Sequence, residues 1–193
     1  MEEVDVAIVG AGFSGLASAI ELDRVGVRDL VLLEGADRLG GTWRDNRYPG
    51  AACDVPSHLY SLSRAPKPDW THRFARQPEI LAYMEDVADR FDLRGRIRLG
   101  CTVQEARWDG RWTLRTSRGP LSARFLLLGI GALRDPAWPA IPGLADFAGE
   151  TVHSSRWPDG LDLRGKRVGL VGTGASAIQI GPAVAPDAAK LTV

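Results

Sequence analysis

The chain predicts an α/β fold built on a parallel sheet, and three observations carry that expectation. The apolar run 4–9 leads straight into Gly10-Ala11-Gly12-Phe13-Ser14-Gly15, and a stretch with helical spacing, 16–25, follows. Residues 30–33 are an unbroken aliphatic run, Leu-Val-Leu-Leu, as a strand buried on both faces requires. The order strand, glycine turn, helix then returns at 167–180 around Gly172-Thr173-Gly174-Ala175-Ser176-Ala177. That context is what turns a weak glycine pattern into a meaningful one.

Each glycine of the first turn has a separate physical task. Gly10 must tolerate backbone angles that other residues avoid. Gly12 lets backbone approach a pyrophosphate, and Gly15 lets the helix lie close to the strand. The helix then directs its unpaired N–H groups and positive end at the phosphates. The second strand ends at Glu34. A carboxylate there accepts hydrogen bonds from a ribose 2′-OH and repels a 2′-phosphate, so this turn is expected to hold FAD or NAD rather than NADP. The fold is therefore Rossmann-like, and the second turn at 172–177 predicts a second nucleotide.

Composition narrows the remaining classes. Lys plus Arg and Asp plus Glu both number 24 in 193 residues, so nothing points to nucleic acid or an anionic membrane as partner. Cys53 and Cys101 are far apart and outside any CxxC pattern, which implies neither a metal site nor a disulfide framework and fits a reducing cytoplasm. No basic leader with an apolar core is visible at the N-terminus. No apolar run approaches the ~20 residues of a membrane span.

Between the two turns the elements follow in order. Residues 40–56, with Gly40, Gly41, Pro49, Gly50 and Pro56, read as loop. Trp43 and Tyr48 offer aromatic faces and Asp54 a charge, so the loop either lines a flat ligand or is a surface loop anchored by its Trp. Residues 57–70 read as irregular. Gln77-Pro78 opens a helix whose Ile80, Tyr83, Met84, Val87, Ala88 and Phe91 share one face, with Gly95 as its stop. Strands are expected at 97–99 and 101–103, a hairpin at 106–116 around Asp109-Gly110-Arg111, and a third antiparallel strand at 121–124. Residues 125–128 then read as a buried strand of the parallel sheet, closing at Gly129-Ile130-Gly131. The prolines of 134–143 mark a stiff connector and domain boundary. By its chemistry alone His153 reads as a structural, hydrogen-bonded histidine. A strand at 167–171 precedes the second turn, and 191–193 begins another.

These motifs together resemble the N-terminal part of class B flavoprotein monooxygenases, most closely the Baeyer–Villiger branch. The resemblance rests on GAGFSG at 10–15, GGTW at 40–43, RYPGAACDVPSHLYS at 47–61, FAGETVHSSRWP at 147–158 and GTGASA at 172–177, and it covers essentially the whole chain. It implies FAD and NADPH as cofactors. Gly10, Gly12, Phe13, Ser14 and Gly15 would cradle the FAD pyrophosphate and Glu34 the adenosine ribose. Gly41, Thr42, Trp43, Asp54 and Tyr60 would line the FAD, and Val103 would pack at the adenine. Ala52, Cys53 and Asp54 would approach the nicotinamide. Gly172, Thr173, Gly174, Ala175, Ser176, Ala177 and Ile178 would bind the NADPH phosphates. Gly149, His153 and Trp157 would belong to a linker coupling the two nucleotide domains.

The implied layout is an FAD-binding domain over 1–145 with an antiparallel meander inserted in its parallel sheet, a linker over 146–160, and the first strand, turn and helix of an NADPH domain over 161–193. The implied reaction passes hydride from NADPH to FAD, forms a C4a-peroxyflavin with O₂ and attacks a ketone to give an ester or lactone. The family stabilises the peroxide with an arginine oriented by an aspartate; Asp54 matches that aspartate and is the catalytic residue the resemblance implies for this chain. No arginine here matches the partner, so the 193 residues are expected to be a fragment that cannot complete the reaction alone. Two alternatives stay open: a flavin monooxygenase oxygenating amines or sulfides, and a short FAD-binding protein without oxygenase activity.

Overall fold

The computed structural model describes residues 1–193 and divides into two compact units. The first comprises 1–44, 61–67 and 78–134, and the second 45–60, 68–77 and 135–193. The loop 45–60 belongs with the second unit although it follows the first glycine turn in sequence. No helix of the structure is long and apolar enough to cross a membrane.

In the first unit, β1 (Glu2–Val9) runs into α1 (Phe13–Arg24) and then β2 (Leu30–Leu33). All four residues of β2 are buried. Helix α1 begins three residues earlier than the apolar periodicity indicated, because the Gly12 carbonyl already accepts the Leu16 N–H at 3.0 Å. Its buried residues are Gly15, Leu16, Ala19 and Ile20. Helix α3 (Gln77–Arg90) buries the predicted face, including Ile80, Tyr83, Met84, Val87 and Ala88. Its stop is not Gly95. Asp92 takes φ 50°, its N–H bonds the Asp89 carbonyl, and the Leu93 N–H bonds the Ala88 carbonyl. That pair of bonds closes a helix at a left-handed residue, a place Asp tolerates better than most non-glycines.

The sheet continues with β3 (Ile97–Arg98), β4 (Val103–Trp108), β5 (Trp112–Thr116) and β6 (Gly119–Leu128). Strand order is β3-β2-β1-β6-β5-β4, parallel from β3 to β6 and antiparallel from β6 to β4. The hairpin turn falls at Asp109–Arg111 as expected, with Gly110 at φ 73°. Two expected strands, 121–124 and 125–128, are one. β6 pairs antiparallel with β5 through Ala123 and parallel with β1 through Leu128, and neither glycine nor proline interrupts residues 121–128. The expectation that 125–128 is buried fails: Phe125 is 57% and Leu128 67% exposed. Strand β5 ends opposite Ala123, so beyond that point β6 has a ladder neighbour on one side only.

In the second unit, β7 (Arg167–Gly169) and β8 (Lys190–Thr192) pair in parallel around α4 (Ala175–Val184). β7 is shorter than the 167–171 expected, although the Leu170 N–H still bonds the Thr192 carbonyl. A core of Tyr48, Ala51, Ile180 and Val184 forms here, with Trp157, Leu163, Leu170 and Leu191 packed on it. The loop 48–60 is zipped to 72–77. Cys53 donates to the Ala75 carbonyl, Gln77 to the Ala51 carbonyl and Ser57 to the Arg73 carbonyl. Residues 134–143 contain neither helix nor strand.

Candidate functional site

The three glycines of the first turn meet different surroundings. Gly10 has φ 101°, and a Cβ there would meet the Gly129 carbonyl oxygen at 2.5 Å. A Cβ at Gly15 would meet the Gly10 carbonyl carbon at 3.0 Å. Both positions are closed by the chain itself. Gly12 differs: its Cβ would find its nearest neighbour, the Gly41 Cα, at an ordinary 3.8 Å. Gly12 is also the N-cap of α1 and brings no capping side chain to the N–H groups of Phe13, Ser14 and Gly15. The space over Gly12 is thus a cradle a bulky side chain would fill, set at a helix N-terminus suited to phosphate.

Glu34 is buried at the end of β2 and is oriented from three sides. Its Oε2 accepts the Ala11 N–H at 2.9 Å. Its Oε1 accepts the Ala36 N–H at 3.0 Å and Arg44 Nη1 at 3.1 Å. The carboxylate is therefore tied to the glycine turn itself and keeps acceptor capacity for a hydroxyl. Arg44 was not singled out in the sequence. It reaches Glu34 because part of the predicted loop is the one-turn helix α2 (Thr42–Asp45). Gly40 at φ 120° and Gly41 at φ 53° start that turn, accepting the N–H groups of Trp43 and Arg44. Gly40 also donates to the Ala11 carbonyl at 3.0 Å, binding this segment to the turn.

The aromatic expectation needs correction. Trp43 and Tyr48 are both buried rather than offering open faces, and the Tyr48 hydroxyl donates to Gln179 at 2.9 Å. Val103, the expected adenine neighbour, is half-buried against the cluster of Leu33, Cys101 and Leu114.

The second turn has the same geometry with more room. Gly172 takes φ 116°, Gly174 caps α4 without a side-chain bond, and a Cβ on either would meet nothing within 4 Å. Thr173 and Ala175 are exposed, Ser176 and Ala177 half-buried, and Ile178 exposed. One turn into the helix, Gln179 bonds Ala52 in both directions. Ala52 is half-buried, Cys53 buried, Asp54 exposed and Tyr60 half-buried. Burial pushes the Cys53 thiol above its usual pKa, and the Asp54 charge adds to that. The thiol is therefore kept from ionising readily while it stays buried. A lone amide between Ile178 and Ile180 was the sequence signal for Gln179, but its partner, a loop more than a hundred residues away, was not readable.

The linker residues lie in the same unit. His153 Nδ1 accepts the Ser155 N–H at 3.2 Å and lies 2.9 Å from its hydroxyl, so the histidine caps the 3₁₀ turn Ser154–Arg156. Its ring meets Trp138 edge-on. Trp157 packs on the Tyr48 core, and a Cβ at Gly149 would strike the Phe147 ring.

The profile of the pyridine nucleotide-disulphide oxidoreductase family matches residues 7–193. The chain belongs to this family. Within it, the chain is 51% identical over 195 residues to a Baeyer–Villiger monooxygenase of Streptomyces coelicolor, covering 100% of this chain and 38% of that protein. It is 43% identical to an FAD-binding monooxygenase of Aspergillus niger, over 97% of this chain and 33% of the relative. Among solved structures it superposes on an oxidized steroid monooxygenase bound to NADP with a TM-score of 0.88 and 47% identity, over 98% of this chain and 38% of that one. The chain thus spans well under half the length of these relatives.

Proposed function

We propose that this chain forms the FAD-gripping and nicotinamide-gripping turns of an NADPH-dependent monooxygenase of Baeyer–Villiger type. The observation that carries the reading is the open space at Gly12 together with the buried Glu34 carboxylate bonded to the Ala11 N–H of the same turn. The chemistry of that donor set fits FAD: backbone N–H groups for the pyrophosphate, and a carboxylate for a ribose that carries a free 2′-OH. The second turn, unobstructed at Gly172 and Gly174, fits the phosphates of NADPH.

When bound, the flavin supplies the hydride acceptor and the means of activating O₂. The chain's own residues grip and orient. Phe13, Ser14 and Gly15 donate N–H groups, and Glu34 holds the ribose with its carboxylate fixed by Ala11, Ala36 and Arg44. Thr42, Trp43, Tyr60 and Val103 would shape the surroundings of the FAD, and Asp54, on a loop whose backbone is bonded at 51–53, would stand toward the nicotinamide side together with Ala52 and Cys53. His153, with Gly149 and Trp157, would belong to the linker that couples the two nucleotide domains. The substrate class is a ketone, oxygenated next to its carbonyl with O₂, and the protein acts in the cytoplasm.

The test is product analysis under NADPH and O₂ with a ketone such as cyclohexanone, a sulfide and an amine, made on the 193 residues extended to the full length of their relatives, since the 193 residues alone are expected to give no product. Ester or lactone from the ketone supports the proposal. Oxygenation of sulfide and amine with the ketone untouched assigns the protein to the N- and S-oxygenating enzymes instead.

A further inference from the structure

The loop carrying Asp54 is held as a central strand is held, although one of its two neighbours is a single side chain. On one edge, Ala51 and Cys53 pair with Gln77 and Ala75 around an antiparallel bridge between Ala52 and Arg76. On the other edge, the Gln179 amide takes the place of a strand. Its Oε1 accepts the Ala52 N–H at 3.3 Å and its Nε2 donates to the Ala52 carbonyl at 2.9 Å. The Tyr48 hydroxyl adds a donor to the same Oε1 at 2.9 Å. The backbone crosses α4 closely at Gly50, which has φ 81° and whose Cβ would sit 2.6 Å from the Gln179 carbonyl oxygen. Asp54 itself is exposed, so the backbone at 52–53 sets its place, not burial of its own side chain.

We propose that Gln179 is a positioning residue: its amide ties the segment 52–54 to the helix of the second glycine turn and so sets where Asp54 stands beside a nicotinamide nucleotide held there. The inference rests on the reading that such a nucleotide occupies this turn. The chemistry demands an amide. A leucine offers neither bond, and an ionised glutamate accepts from Ala52 N–H and Tyr48 but turns a charge on the Ala52 carbonyl. A protonated glutamate restores the donor.

Cys53 reports the clamp because it is buried directly after Ala52, and Cys101, in the core of the first unit, reports global opening. The experiment labels the protein with 4,4′-dithiodipyridine and follows each cysteine by peptide mass spectrometry, for the unaltered chain, Gln179→Ala and Gln179→Glu. With Gln179→Ala, Cys53 labels about tenfold faster or more while Cys101 is unchanged, as loss of two or three hydrogen bonds to a local segment requires. With Gln179→Glu, labelling relative to the unaltered chain is fast at pH 8 and returns toward it near pH 4.5, within the ordinary carboxyl range of about 4 to 5. Unchanged Cys53 labelling in Gln179→Ala, equal acceleration at Cys101, or absence of the acid rescue in Gln179→Glu overturns the proposal. The same assay with NADP⁺ added separates the two readings: if the nucleotide fails to slow Cys53 labelling in the unaltered chain, the nicotinamide reading falls while the clamp stands.

Discussion

Arg44 reaches back from α2 to Glu34, Nη1 to Oε1 at 3.1 Å, with both side chains largely buried. Removing the arginine leaves a buried carboxylate with two backbone donors instead of three partners. Arg44→Ala is expected to cost about 2 kcal/mol, in the range of a lost charge-assisted hydrogen bond. The denaturant midpoint measures it, and Arg44→Ala should also loosen the segment 40–45 and weaken flavin retention. A midpoint within error of the unaltered protein would show the pair to be dispensable.

The glycines of the first turn should divide into two classes under mutation. Gly12→Val introduces a side chain into space that holds no protein atom closer than 3.8 Å to the new Cβ, so the chain folds but loses its flavin. Gly15→Ala drives a Cβ against the Gly10 carbonyl and lowers stability whether or not flavin is present. Thermal melts with and without FAD separate the classes. An undiminished flavin content in Gly12→Val contradicts the assignment.

Asp92 is the helix-terminating residue at φ 50°. Asp92→Gly relieves the Cβ penalty at that angle and is expected to raise stability by up to about 1 kcal/mol, whereas Gly95→Ala, at a glycine with ordinary angles, raises or leaves it. Urea titration of the two variants checks the order.

Acid stability follows from the surface carboxylates. Hydrogen bonds from Arg98 to Glu2, from Arg96 to Asp23, from Arg94 to Asp89 and from Arg164 to Asp162 all lower those carboxyl pKa values, that of Asp162 from 3.8 to about 2. A carboxyl depressed in the folded state contributes stability above its unfolded pKa and loses it as pH falls through the folded one. The melting temperature should therefore be flat above about pH 5 and fall steadily toward pH 2, with a small amplitude that added salt reduces, since these groups are exposed. A melting temperature rising on acidification contradicts the sign.

Much of this was legible because backbone geometry writes itself into residue type. Gly10 and Gly15 stand where φ and close approach require them, Gly12 stands where the turn leaves open space, and the aliphatic run 30–33 could serve only as a doubly covered strand. What sequence reading could not supply were side chains acting at long range. Arg44 becomes a Glu34 partner only once Gly40 and Gly41 start a helical turn inside what composition describes as loop. Gln179 becomes a clamp only once α4 lies beside residues 48–52. The strand at 121–128 was divided because its two halves face different neighbours, antiparallel β5 and parallel β1, and a one-dimensional pattern registers that as two elements.

The measurement closest to the centre of the account is FAD binding by the purified, folded 193-residue chain, followed by the flavin absorbance that stays with the protein after gel filtration. One flavin per chain is the predicted result. A well-folded protein that remains colourless after incubation with excess FAD would contradict it.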